Sequence, residues 1–176
     1  MATVLTTGSG GYDSNYDAIF YACNNYNSPA DTNSILDIYY NNNKGVILGI
    51  FADTIESSFV PNLAKNITNY NTSFTATNTI SYPQSSIHNI LYGVSSITPY
   101  FCQSSFTSQN GATSIGSING TYAVNYLDSS DGIHGRRSDL NFFIRDTVPG
   151  DTTSTGANRC LLQALLWSAR KLFWMN

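Results

Sequence analysis

The densest group of ionisable side chains in the sequence lies between residues 128 and 139. An EF-hand calcium loop would need oxygen ligands at more positions and a closing glutamate, which this segment lacks. The pattern instead predicts a polar loop whose charges neutralise one another. A contact from its arginines to an anion, a sugar or a partner protein stays open. The residues of this predicted contact loop are Asp128, Asp131, His134, Arg136 and Arg137, with Asp139 close behind.

The two histidines and three cysteines offer little further chemistry. His88 and His134 cannot supply the three ligands of a catalytic zinc, and no C-x-x-C pair occurs. The sequence also lacks a G-x-S-x-G turn, and nothing local supports a Cys–His dyad. Because Glu56 is the sole glutamate, a glycosidase pair would need aspartates. We therefore expect no enzyme activity, no catalytic residue, no cofactor and no metal. Among the functions that the sequence leaves open, an aspartate-dependent hydrolase has the weakest support.

The cysteines and the N-terminus bear on the compartment. Cys23, Cys102 and Cys160 are odd in number, so at least one lacks a partner in its own chain. Free buried thiols are the simplest interpretation, and they favour synthesis in a reducing cytosol. The N-terminus has neither the basic nor the apolar region of a signal peptide, so we expect none.

The composition predicts a polar surface with few charges. Charged residues make up 11% of the chain, against about 25% in typical domains. Hydrophobic residues at 41% and aromatic residues at 13% predict a folded core. An uncharged polar surface is less costly to desolvate than a charged one, which suits contacts with other copies of the chain or with sugars. With a net charge of −3 and no basic patch, we expect no nucleic-acid binding.

Residues 157–176 carry the clearest helical pattern in the chain. On a helical wheel the leucines form one apolar arc that we expect to dock on a core. Trp167 and Trp174 are seven residues apart on the other side, where we expect them to be largely exposed. The apolar run is too short to span a membrane. Docking on the chain's own domain, on a neighbouring subunit or on a membrane surface all stay open. The interface candidates are Leu161, Leu165, Trp167, Arg170, Leu172, Phe173 and Trp174.

The rest of the chain predicts an α+β, β-rich fold: an antiparallel sheet or sandwich of short strands, with two or three short helices and the C-terminal amphipathic helix. We expect a flexible N-terminal arm at 1–16, one domain at 17–148 and a linker at 149–156. The predicted helices are 17–26, about 60–70 and 85–97. The predicted strands are 34–40 paired with a central 45–52, then 72–82, two around Asn119-Gly120 within 112–127, and 140–144.

The composition as a whole resembles that of viral and phage structural proteins in general. That resemblance implies a subunit that assembles with copies of itself or with other structural subunits, as a capsid, minor capsid or tail component of a virion or another extracellular lattice. The alternative is an extracellular module that binds glycans through tyrosine and tryptophan side chains.

Overall fold

A computed structural model of the protein describes residues 13–23, 30–50, 64–70, 74–76, 80–81, 88–97, 101–103, 105–118, 121–142 and 155–171. These residues form two α-helices, α1 (Ala30–Asn41) and α2 (Thr155–Ser168), and a short 3-10 helix at Asn89–Leu91. The strands are β1 (Ala18–Cys23), β2 (Gly45–Ile50), β3 (Thr68–Tyr70), β4 (Phe74–Ala76), β5 (Ile80–Ser81), β6 (Ser96–Ile97), β7 (Phe101–Gln103), β8 (Phe106–Ser108), β9 (Thr113–Ile118), β10 (Thr121–Leu127) and β11 (Arg137–Leu140).

A five-stranded mixed sheet is the centre of the fold, with the strand order β1-β2-β11-β10-β9. The expected antiparallel pairing occurs between β9, β10 and β11, whereas β1, β2 and β11 run parallel. A parallel pair needs a crossover between its strands, and α1 supplies it between β1 and β2. Among the described residues, the pairs β3–β8, β4–β7 and β5–β6 form three small antiparallel sheets. The predicted strand-rich α+β class with a C-terminal helix is confirmed.

The two helices cover opposite faces of this sheet. Along β2, Ile47 packs into a core cluster with Ala164 and Trp167 of α2. Its neighbours Val46 and Leu48 pack into a second cluster that contains Leu36 and Tyr39 of α1. Side chains on a strand alternate between faces, so β2 is covered on both sides. The central position that its apolar sequence predicted is confirmed.

The first two predicted elements were assigned the wrong way round. Residues 18–23 form a strand rather than a helix, and 30–41 form a helix rather than a strand of a hairpin. Buried Leu36, Tyr39 and Tyr40 have the i, i+3, i+4 spacing of a helix. The Asn-rich segment after them is a helix end: Asn43 has a φ of 58°, and the Lys44 amide donates to the Tyr39 carbonyl at 3.0 Å.

The other predictions have mixed outcomes. The hairpin at 112–127 is confirmed by the pairing of Ile118 with Thr121, and its turn residues 119–120 lie outside the described residues. Residues 64–70 form a bend and β3 instead of a helix, and 60–63 are not described. Within 72–82 two short strands are described. Within 85–97 a 3-10 turn and β6 replace the predicted helix. The strand expected at 140–144 runs from 137 to 140.

Residues 13–16, at the end of the expected N-terminal arm, contact α1 and the turn that follows it. The Tyr39 hydroxyl donates to the Asp13 carbonyl at 3.2 Å, and the Lys44 ammonium donates to the Ser14 carbonyl at the same distance. Of the expected linker, Thr155 and Gly156 already belong to α2. No helix in the described part of the chain is long and apolar enough to cross a membrane.

Candidate functional site

The side of α2 that packs on the sheet is not the leucine-rich side that the sequence predicted. The side that meets the sheet consists of small residues and one tryptophan, whereas Leu162 is 56% and Leu166 is 38% exposed. Leu161 and Leu165 are half-buried between these two sides. The buried residues are Ala157, Cys160, Ala164, Trp167 and Ser168. The expectation that the leucine arc docks on a core is therefore wrong for Leu162 and Leu166, and so is the exposure expected for Trp167.

Small side chains explain this orientation because they let the helix backbone come close to the sheet. Gly45 has no side chain to hold α2 away, and a Cβ atom there would lie 2.6 Å from the carbonyl carbon of Ser168. The hydroxyl oxygens of Ser138 and Ser168 are 3.3 Å apart across the same contact. A side of large leucines could not approach this closely, since core residues are packed at nearly crystalline density.

Trp167 is an internal anchor, surrounded by aromatic rings and a cation. Its ring meets the ring of Tyr126 edge-on at 5.5 Å and the ring of His88 at 5.3 Å. The Arg136 guanidinium lies over it at 4.8 Å from the ring centre, which is cation–π geometry. Of the other interface candidates, Leu172, Phe173 and Trp174 lie outside the described residues.

His88 is held neutral in this cluster. Its ring stacks on that of Tyr126 with the centres 4.0 Å apart, and its Nδ1 accepts the Ile90 amide at 3.3 Å as the cap of the 3-10 helix. Burial lowers the pKa of His88 to about 4, because the charged ring would lose its hydration; Asp128 opposes this shift and Arg136 adds to it.

The predicted contact loop lies against the ends of both helices. The Arg136 Nε donates to Asp128 Oδ1 at 2.9 Å, and its Nη1 donates to the Trp167 carbonyl at 3.0 Å, in the last turn of α2. Arg170, two residues after the end of α2, donates to the Ser129 carbonyl at 3.2 Å and to the Asn43 side-chain oxygen at 3.0 Å. Cations bonded to the free carbonyls at a helix end stabilise that end. At the end of α1, the Gly135 amide of the loop donates to the Tyr40 carbonyl at 2.7 Å, so the loop stabilises the ends of both helices.

Asp131 and His134 form the exposed tip of the loop. The carboxylate and the ring Nδ1 are 2.6 Å apart, and the same carboxylate accepts the backbone amides of Ile133 and His134 at 2.9 Å. These hydrogen bonds, with the His134 ring first among them, hold the pKa of Asp131 below its usual value. Both partners are bound locally, so the tip is a closed turn rather than a free pair of ligands.

Arg137, which the sequence assigned to the loop, points into the core instead. It is fully buried on β11, and its Nε donates to Asp139 Oδ1 at 2.6 Å. It also donates to the Ala64 carbonyl, while its Nη2 has no hydrogen-bond partner among the described residues. Sequence reasoning missed this ion pair, although residues two apart on a strand share a face. The structure thus separates Arg137 from Asp128, Asp131, His134 and Arg136, which it keeps together.

A buried hydrogen-bonded network continues from Asp139 across the sheet. Thr68 donates to Asp139 Oδ2 at 2.7 Å, and the Asn125 amide donates to the Thr68 hydroxyl at 3.0 Å. Ser114 donates in turn to the Asn125 side-chain oxygen at 2.6 Å. The network ties β3, β9, β10 and β11 together by side chains whose burial demands partners.

Metal and thiol chemistry have no visible place in the described residues. They contain no group of three or more His, Cys, Asp or Glu side chains that could hold a metal ion. Cys160 is a free thiol, as expected, and it is fully buried. Burial raises the pKa of this thiol far above its usual value, which makes the thiolate inaccessible.

The solvent side of α2 is the remaining candidate site. Leu162 and Leu166 are one helical turn apart, so they form a continuous apolar strip, here called the outer leucine face. Near it, Gln163 donates to the Tyr92 carbonyl at 2.8 Å, and Tyr92 is itself exposed. Such a face can take part in association with another apolar surface but in no bond-making chemistry.

The described elements define a strand-rich α+β domain with a mixed central sheet. No protein-family model and no curated protein matches the sequence. Among solved structures, the fold is similar to that of a ThuA-like protein from Parabacteroides merdae ATCC 43184, with a TM-score of 0.56 and 14% sequence identity. The likeness covers 93% of this chain and 74% of that chain. At such identity it concerns the fold alone.

Proposed function

We propose that this protein is a structural subunit, without enzyme activity, that assembles with copies of itself through the outer leucine face. The observation that carries the proposal is that Leu162 and Leu166 are exposed on a helix whose opposite side is already in the core. Burying a fully exposed leucine side chain contributes about 1.5–3 kcal/mol. Leu162 is 56% and Leu166 is 38% exposed, so each would contribute a part of that to a contact.

A single exposed leucine would carry no such weight, because apolar atoms make up much of any protein surface. These two leucines are contiguous on the helix, and half-buried Leu161 and Leu165 extend the apolar strip towards the core. A strip of four leucines along one helix is the kind of surface that a helix uses when it packs on a partner.

The composition supports the same proposal from another direction. With 11% charged residues, the surface can be desolvated at less cost than that of a typical domain. The setting we propose is a virion or another extracellular lattice whose subunits are made in a reducing cytosol. The buried free thiol of Cys160 suits such synthesis. Electron microscopy of assembled material from the natural source tests this setting directly.

The test of assembly is the molar mass in solution, measured by size-exclusion chromatography with light scattering across a range of concentrations. We expect the wild-type chain to form species larger than one chain. The double variant Leu162→Glu/Leu166→Glu should reduce them to a single chain, since each charge would be buried unpaired in the contact. Its circular dichroism should stay that of the wild type, because both side chains face solvent in the single chain.

Asn69→Glu/Thr113→Glu is the matched control, because both residues are exposed and lie on strands outside α2, and the change adds the same two charges without removing an apolar side chain. It should assemble as the wild type does. A wild-type protein that stays a single chain at the highest concentration would contradict the proposal. Equal assembly by the double variant would exclude the outer leucine face as the contact.

A further inference from the structure

We infer that His88 is a proton-sensitive latch: protonation of its ring releases residues 88–97 from α2 while the rest of the domain stays folded. These residues comprise the 3-10 helix with its cap and β6, and they pack on α2 within one core cluster. The latch belongs to the single chain, so it does not depend on assembly.

Residues 88–97 are attached to α2 at several points. The Arg159 guanidinium lies so close to Gly93 that a Cβ atom there would be 2.5 Å from its Nη2. One turn further along the helix, Gln163 donates to the Tyr92 carbonyl at 2.8 Å. The segment also contributes four buried apolar side chains to the core cluster that contains α2: Ile90, Leu91, Val94 and Ile97. Its release would therefore uncover apolar surface on both partners.

The His88 ring is a further attachment, and its contacts require it to be neutral. The ring Nδ1 accepts the Ile90 amide at 3.3 Å, which caps the 3-10 helix. A protonated ring carries a hydrogen on both nitrogens, so Nδ1 could only donate. The Ile90 amide would then face a second donor, and the cap would be lost.

The charges around the ring do not stabilise a second cation there. The Arg136 guanidinium already lies 4.8 Å from the centre of the Trp167 ring, and the His88 ring is 5.3 Å from that same ring. Asp128 attracts a charged His88, but this carboxylate is bonded to the Arg136 Nε at 2.9 Å, so the guanidinium opposes the attraction. From β10 the ring of Tyr126 covers His88 at 4.0 Å. A charged ring is therefore better hydrated once it has left this cluster.

The segment can open by itself because its own secondary structure is short. The 3-10 helix has three residues, and β6 has two, which pair with β5 in the described part of the chain. Segments held by few hydrogen bonds open at a lower free energy than the whole domain.

Opening of the segment is linked to proton uptake. The pKa of His88 is about 4 in the closed form and 6.5 in a free chain, so a fall in pH between these values favours the open form. Because the ring is partly exposed, we expect the open population to rise about 5–30-fold between pH 7.5 and pH 4.5, less than the full linkage would give.

Hydrogen exchange followed by NMR tests the latch at single amides. The protection factor, which is the exchange rate of a free amide divided by the measured rate, removes the direct effect of pH on the exchange chemistry. We expect the protection factors of the Ile90, Leu91 and Val94 amides to fall about 5–30-fold from pH 7.5 to pH 4.5. In His88→Asn, which keeps an acceptor for the Ile90 amide but cannot gain a proton, they should fall much less.

Urea separates local opening from unfolding of the whole domain, because exchange through a small opening depends only weakly on urea. At pH 4.5 the same three amides should exchange faster than those of residues 46–48 in β2, and with a weaker dependence on urea. Equal protection and equal urea dependence in the two segments would overturn the inference, since the ring would then be released only by global unfolding.

Two other outcomes would also overturn it. One is a protection factor that stays constant down to pH 4.5 in the wild type. The other is a fall of the same size in His88→Asn, which would assign the opening to other groups. If His88→Asn alters the circular dichroism at pH 7.5, His88→Ser replaces it, because serine also caps the start of a helix.

Discussion

Gly45 lies directly against the last turn of α2: a Cβ atom at residue 45 would lie 2.6 Å from both the carbonyl carbon and the carbonyl oxygen of Ser168. The first residue of the central strand thus touches the last residue of the C-terminal helix. This contact sets how close α2 comes to the sheet, and so which of its side chains reach the core.

Gly45→Ala should destabilise the protein, because the added methyl group meets backbone rather than the end of a flexible side chain. Overpacking of this kind costs about 1–3 kcal/mol. The free energy of unfolding in urea measures the loss, and in a Trp174→Phe background the emission of Trp167 should change as α2 is displaced. Gly132→Ala is the comparison: no atom of the described residues lies within 4 Å of its added Cβ atom, and its φ of 71° alone should cost about 1 kcal/mol. Equal losses at the two positions would contradict the close contact.

Asp139→Ala should cost far more than most single substitutions, because it leaves the buried guanidinium of Arg137 without its carboxylate. Removing one partner of a buried ion pair typically costs about 3–5 kcal/mol. Urea unfolding measures this as well. Asp131→Ala also removes a carboxylate, but one that is exposed and bonded to the exposed ring of His134, and it should have a much smaller effect. The replacement of both Arg137 and Asp139 by apolar residues of similar size should recover part of the loss, because no charge is then left unpaired, while Thr68 and the Ala64 carbonyl lose their hydrogen-bond partners.

Stability should fall as the pH is lowered from about 6.5 towards 4, and His88 should be one cause. Its pKa is about 4 in the fold against 6.5 in a free chain, so in this window only the unfolded chain takes up the proton. Above 6.5 both states are neutral and His88 has no effect on the pH dependence. Each pKa unit corresponds to about 1.4 kcal/mol. Because the ring is partly exposed, we expect a loss of about 1–2 kcal/mol rather than the full value.

The variant His88→Asn isolates that contribution. Asparagine keeps a side-chain acceptor for the Ile90 amide but has no proton to gain in this range. The difference between the unfolding free energies at pH 7.5 and pH 4.5 should be smaller in the variant than in the wild type. An unchanged difference would assign the pH dependence to other groups.

Cys160 should resist thiol reagents until the protein unfolds. Its side chain is fully buried, so a reagent cannot reach the sulfur. Burial also raises its pKa, so the reactive thiolate does not form. The measurement uses a background of Cys23→Ser and Cys102→Ser, so that the colour released from a disulfide reagent reports on Cys160 alone. We expect slow reaction in buffer and complete reaction in denaturant. Rapid reaction of the folded protein would place Cys160 at the surface.

The elements with strong local signals were predictable from the sequence. The leucine-rich run 161–166 predicts a helix because its apolar residues recur at helical spacing, and α2 is there. Asn119-Gly120 favours a hairpin, and β9 and β10 pair on either side of it. The apolar run in 46–50 predicts a central strand, and β2 has a neighbour on each side.

The first fifty residues show why short aromatic-rich segments defeat local reasoning. Tyr21, Tyr39 and Tyr40 favour strands by propensity, yet the last two lie in a helix. Burial outweighs strand propensity here, because Leu36, Tyr39 and Tyr40 pack together on one face of the sheet only when they lie in a helix. The helical spacing was present in the sequence, but it competed with a plausible hairpin.

The candidate site could be predicted only in part, because side-chain direction depends on distant residues. Asp128, Asp131, His134 and Arg136 do form one loop, as their spacing predicts. A helical wheel cannot say which arc of α2 faces the core when the sheet offers a glycine at the contact. Gly45 is far from α2 in sequence, so the residues near Trp167 carry no signal that predicts its burial.

The pairing of β2 with β11 also has a kinetic side. These two parallel strands are neighbours in the sheet, yet residues 51–136 lie between them along the chain. Closing so long a loop costs entropy before any contact between β2 and β11 is gained. Folding rates fall as contacts become more distant in sequence, so the five-stranded sheet should form slowly for a chain of this size. The β9–β10 hairpin, whose partners are adjacent, is free to form early and wait for β11 to join it to β2.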